Sequence, residues 1–194
     1  MVTLVFGLIV FFALHLIPMQ PAWRAGLITR LGRGGYMVLF SLVSVIGLFL
    51  IVKGFGQTQG LGRANPQLWR PPHWTRHVTM ALMIPAFILL VSAYVPSRIR
   101  TAAKHPMLAA IKIWALAHLI SNGDLASVIL FGTFLIWAFE DRISVGRRAA
   151  LGRLGTRTGP PVNDLFVVAG GLLLYAAMLF WGHARLIGIP LLGA

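Results

Sequence analysis

"MLAAIKIWALAHLISNGDLASVILFGTFLIWAF", Met107 to Phe139, holds two apolar runs separated by Asn122, Gly123 and Asp124. Read as one helix it would extend ~50 Å at 1.5 Å per residue, well beyond the ~30 Å of a bilayer's hydrocarbon. Asparagine, glycine and aspartate together are turn formers. The stretch therefore predicts a helical hairpin, Met107 to Asn122 and Leu125 to Phe139, with a polar tip. Four further segments approach the length of a span: Val2 to Met19, Gly35 to Phe55, His77 to Pro96 and Leu165 to Gly182. The expected fold class is all-α, a polytopic membrane helical bundle of about six transmembrane helices in one domain over residues 1–194.

Composition agrees. Of 194 residues 58% are hydrophobic and only 11% charged, too apolar for a surface that meets water. The net charge of +13 could suggest nucleic-acid binding. The basic residues, however, lie in short connectors between apolar segments, as in cytoplasm-facing membrane loops, so no nucleic-acid partner is expected. With no cysteine, disulfides, thiolate zinc sites, iron–sulfur clusters and thioether-linked haem are excluded. The first segment lacks the basic start and cleavage pattern of a secretory signal and is expected as an uncleaved span.

Eleven basic residues fall in the first, third and fifth connectors, among them Arg24, Arg30, Arg33, Arg98, Arg100, Lys104, Arg142 and Arg153, against five on the other side. By the positive-inside rule both termini lie outside the cytoplasm. Lys112, inside the fourth span, can snorkel to the interface. Trp23, Trp69, Trp74 and Trp181 read as interfacial belt residues. "GRRAALGRLGTRTGPP", Gly146 to Pro161, reads as a flexible basic loop touching anionic lipid headgroups. The recurring Leu-Gly-Arg at residues 31, 61 and 151 has unmatched surroundings and marks no repeat. Asn163 and Asp164 are expected to cap the last span.

Six histidines against four acidic residues direct attention to imidazole chemistry, since histidine is the natural haem or metal ligand in a chain without cysteine. His15 lies in "FFALHLIPM". His118 lies where Trp114 and Asn122, four residues either way, with Ala115 and Ser121, build a face of small, aromatic and polar groups. Such a face would admit a macrocycle edge; it would equally suit a buried histidine hydrogen-bonded across the bundle. His105 opens the same helix, but 13 residues place it about 140° around and ~20 Å along from His118, so the two cannot share one iron. His73 and His77 follow Pro71 and Pro72 at an aqueous helix start, and His183 follows the last span; all three read first as interfacial. Glu140, Asp141, Arg142 and Arg147 read as an interfacial ion-pair cluster, with Asp124 at the opposite hairpin tip. No paired-acid site or nucleophile motif follows.

Arg76 to Ser144, with "RHVT", "HPM", "WALAHL", "NGDLAS" and "DRIS" at these spacings, resembles the central block of the NnrU family. "ALHL" in the first span and "HARLIGIP" after the last fit the family's ends. The resemblance implies a bacterial inner-membrane protein associated with nitrite and nitric oxide reduction, that is, with denitrification. The family is similar to plant 15-cis-ζ-carotene isomerase, a membrane enzyme whose b-type haem has two histidine ligands and exchanges one on reduction. Carried over, this implies haem b with His15 and His118 on the iron, His105 and His77 as further matched ligands, and Trp114 and Asn122 beside the cofactor. His15 and His118 would differ in depth by ~8 Å; depth alone would prefer His15 with His105, or His118 with His77. The expected function is redox chemistry or haem-dependent isomerisation, with membrane lipid and a redox partner or lipid-soluble substrate as partners. A non-catalytic assembly or regulatory factor is the alternative. A small membrane methyltransferase is a further one, weakened because Lys104-His105-Pro106 lacks the flanking arginine and glycine pattern of such enzymes.

Overall fold

A computed structural model describes residues 1–60, 62–150 and 156–192. The Leu-Gly-Arg at 151–153, with Arg153, and Leu61 of the second lie outside the described residues. Among the described residues eight α-helices follow one another: α1 Val2–Leu16, α2 Pro21–Thr58, α3 Trp74–Ser92, α4 Arg98–Ala103, α5 Pro106–Ser121, α6 Leu125–Arg147, α7 Pro161–Ala177 and α8 His183–Ile187. No strand occurs among the described residues, only an isolated bridge between Gln67 and Asp124. The fold is all-α, with membrane-like helices. Contacts divide it into two compact units, Met1–Pro66 and Gln67–Ala194.

Met1–Pro66 is a pair of helices, α1 against α2. Glycines set how closely they approach. A Cβ on Gly7 would lie 2.7 Å from the Ile51 nitrogen, and one on Gly47 would lie 3.0 Å from Phe11. Leu4, Leu8, Phe12, Ile51 and Phe55 fill the seam, while Val38, Leu42, Val45 and Phe49 stay exposed. Such an apolar outer surface belongs in lipid. Arg24 and Arg30, expected in a loop, are helical. Pro21 begins α2 with its φ already set, and the backbone leaves helical geometry only at Gly32, at φ 69° and ψ 164°, a conformation open to glycine.

In Gln67–Ala194, α3 is central: α5 and α7 pack on it, and α6 packs on α5. Thr79 donates its hydroxyl to the Ala117 carbonyl at 2.7 Å, tying α3 to α5. Gly171 lets α7 approach the Ile88 backbone so closely that a Cβ there would meet Ile88 Cα at 2.6 Å. The hairpin expected from Asn122-Gly123-Asp124 is present. Asp124 caps α6 by accepting from the Ser127 amide at 3.0 Å and its hydroxyl at 2.6 Å. Leu68 donates its amide to the Gly123 carbonyl at 2.7 Å, so the segment before α3 lies across the hairpin tip.

The opposite end of this unit is basic. Asp164, expected to cap its own helix, instead accepts from the Arg98 amide at 2.8 Å and the Ile99 amide at 3.3 Å, at the start of α4. Arg98 Nε joins it at 2.6 Å. Asn163 donates to the Pro96 carbonyl at 2.6 Å, and α7 begins with no side-chain cap. Pro161, in the first turn, removes one amide that would otherwise lack a helical partner. Lys112 lies 4.5 Å over the Phe139 ring, and Asp141 pairs with Arg148 at 3.2 Å.

Among the described residues, four segments have the length and hydropathy of a membrane span: Val2–Met19, Pro21–Thr58, Trp74–Ser92 and Pro161–Ile187. Helix α5 is apolar but has 16 residues, and Glu140, Asp141 and Arg142 interrupt the apolar run of α6. These criteria thus give four spans where the sequence reading expects about six. Trp23, Trp69, Trp74 and Trp181 are all exposed, as belt residues require.

Candidate functional site

A cavity of ≈ 360 Å³ opens within the Gln67–Ala194 unit, a volume typical of a small-molecule or cofactor site. Helix α3 contributes Arg76, Thr79, Met80, Met83 and Phe87. Helix α5 and its end contribute Trp114, His118, Ser121 and Asn122. Tyr175 comes from α7, Met178 and Leu179 from the turn after it and His183 from the start of α8, and Ile189 to Leu191 complete the wall.

His118 is positioned from both sides. Its Nδ1 lies 2.8 Å from the Trp114 carbonyl one turn back, so Nδ1 carries the proton and donates it. The Nε2 lone pair is then the one left to act. Phe131 of α6 stacks on the imidazole at 4.6 Å and 26°. Trp114 meets the edges of Phe131 and Phe134 at 4.9 and 5.3 Å, which fixes the aromatic backing. Asn122 donates its side-chain amide to the His118 carbonyl at 2.8 Å and to Ser121 Oγ at 3.2 Å. Asn122 therefore holds the end of α5.

His183 repeats the pattern. Its Nδ1 lies 2.7 Å from the Ile189 carbonyl, so its Nε2 is likewise the basic nitrogen. A π-helical turn, Met178–Gly182, precedes it, a geometry common at functional sites. The chain then reverses at Gly188, in left-handed geometry at φ 83°, and residues 189–191 return to the cavity. Arg76 donates from its guanidinium to the Leu191 carbonyl and pins that return.

The other matched histidines lie elsewhere. His15 belongs to the Met1–Pro66 unit, where its Nδ1 is 2.8 Å from the Phe11 carbonyl. Its ring stacks on Phe11 at 3.9 Å and tilts against Phe40 at 5.1 Å. His77 is exposed in the first turns of α3 and His105 is the half-buried N-cap residue of α5; neither lines the cavity. Burial, followed by the Arg142 guanidinium, lowers the His105 pKa below its ordinary value.

Sequence reasoning reached His118, Trp114 and Asn122 but treated His183 as interfacial and gave Arg76 no role. The usable signal for His183 was its register: Tyr175, Met178, Leu179 and His183 recur at helical spacing on one face.

Chemically, the arrangement offers two imidazole Nε2 atoms, thioethers, aromatic walls and one guanidinium. Among the described residues no group of three or more histidines and carboxylates could hold a metal ion. A porphyrin iron makes a smaller demand, one or two axial side chains. A backbone carbonyl or carboxylate that accepts Nδ1–H is the usual companion of a ligating histidine. The residues that could hold such an iron are His118 and His183, set in an apolar and aromatic lining.

A family model described as "NnrU protein" matches residues 3–191. Curated proteins and solved structures give no match.

Proposed function

The chain belongs to the NnrU family, and from that premise we propose that it is a bacterial inner-membrane haem protein whose b-type haem occupies the cavity of the Gln67–Ala194 unit. The observation that carries this reading is the matched pair on one apolar cavity. His118 and His183 each spend Nδ1–H on a backbone carbonyl, leaving two Nε2 atoms that would hold the iron. When bound, the haem supplies one-electron redox chemistry and an iron whose coordination can open to a small ligand or polyene.

The protein's own part is positioning. The Trp114 and Ile189 carbonyls hold the Nδ1 protons and raise the basicity of Nε2. Phe131 fixes the His118 ring plane, and Met80, Met83, Phe87 and Leu179 keep water from the site. The family's association with nitrite and nitric oxide reduction favours a redox role in denitrification; isomerisation of a lipid-soluble substrate uses the same groups. The basic end carrying Arg98, Arg100 and Lys104 faces the cytoplasm in this reading, and the count of basic residues puts both termini on the periplasmic side.

Haem content tests the proposal. Wild type purified from a haem-replete host should carry about one pyridine-haemochrome equivalent per chain. His118→Ala and His183→Ala should each weaken retention about tenfold or more, as perturbing haem or metal coordination does. His15→Ala, the first-span histidine of the resemblance, should retain it. Full haem in both cavity variants would sink the assignment.

A further inference from the structure

Among the described residues that line the cavity, Arg76 carries the only permanent charge, and no carboxylate lines the wall with it. Arg76 is half-buried, and its guanidinium donates from Nη2 to the Leu191 carbonyl. Arginine stays protonated at any accessible pH, and its donors form a fork that matches two carboxylate oxygens. A guanidinium drawn from water without an anion is unfavourable. The rest of the wall is the reverse in character: three methionines, Phe87 and Leu179 give an apolar body. No lysine or second arginine stands beside Arg76 there, which fits a single carboxylate better than a phosphate.

We infer that Arg76 is a carboxylate anchor, and that the cavity selects ligands with an apolar body and one carboxylate at the Arg76 end. This deepens the haem reading, in which the carboxylate is a porphyrin propionate. The same chemistry is offered by a membrane fatty acid, and the inference holds for either source. Charge-assisted, two-point hydrogen bonding is the physical basis.

The test compares acids with their esters on the intact protein in detergent. Haem b and its dimethyl ester are titrated by their absorption; palmitate and methyl palmitate are titrated by native mass spectrometry. Wild type should bind at least one free acid about tenfold or more tightly than its ester, the scale of one charged hydrogen-bond pair. Arg76→Gln, which can still donate to Leu191, should bring that ratio near one, and Arg76→Lys should restore part of it. A preference for palmitate with no binding of either porphyrin would remove the haem reading and keep the anchor. Equal binding of acid and ester in wild type, an unchanged ratio in Arg76→Gln, or binding of neither acid would overturn it. The wild-type comparison needs no variant to fold.

Discussion

At the scale of single residues, the same short rule recurs: a buried polar group is kept where it has a defined partner. His15, His118 and His183 all rest Nδ1 on a carbonyl, yet only the last two line the cavity. The local hydrogen bond is therefore not the discriminating feature; the company on the wall is. The hairpin tip shows the rule in structural form. Asp124 satisfies the Ser127 amide and hydroxyl, so Asp124→Ala should cost ~1 kcal/mol, the usual loss of an N-cap, and Asp124→Asn much less. Thermal unfolding in detergent measures both. Because Ser121 and Asn122 border the cavity, haem retention should fall in parallel with stability.

At the scale of elements, close approach of helices is bought with glycine. Gly7→Leu would force a side chain into the Leu50 and Ile51 backbone and should destabilise by at least ~1–3 kcal/mol, as overpacking does. Gly26→Ala, with nothing within 4 Å of the added carbon, should be neutral or slightly stabilising. A melting temperature lowered equally by both would contradict the packing described. The helices themselves were readable in advance, because apolar runs bounded by proline, glycine and asparagine are local signals. The hairpin at Asn122–Asp124 and the start of α3 after Pro71 and Pro72 are examples. What sequence could not supply was partnership at a distance. Asp164 resembled a cap for its own helix and serves the start of α4. Arg24 and Arg30 resembled a loop because charge interrupts the apolar run, while helix propensity continues through them to Gly32.

At the scale of the whole chain, the Gln67–Ala194 unit has two unlike ends. One gathers Arg98, Lys112, Arg148 and their acidic or aromatic partners. The other holds the hairpin tip, His118, His183 and Arg76. The cavity was half legible. His118 stood out as an imidazole in an apolar helix, whereas His183 and Arg76 join it through the reversal at Gly188, whose return path depends on tertiary bonds to Ile189 and Leu191. The central proposal is that His118 and His183 would together hold one haem iron. Its most direct test is spectroelectrochemical titration of wild type beside His118→Met and His183→Met. Replacing one imidazole by a thioether raises the potential of a bis-histidine haem, so both variants should stay coloured and titrate at higher potential than wild type. A colourless wild-type protein, or a midpoint that neither substitution moves, would contradict the account.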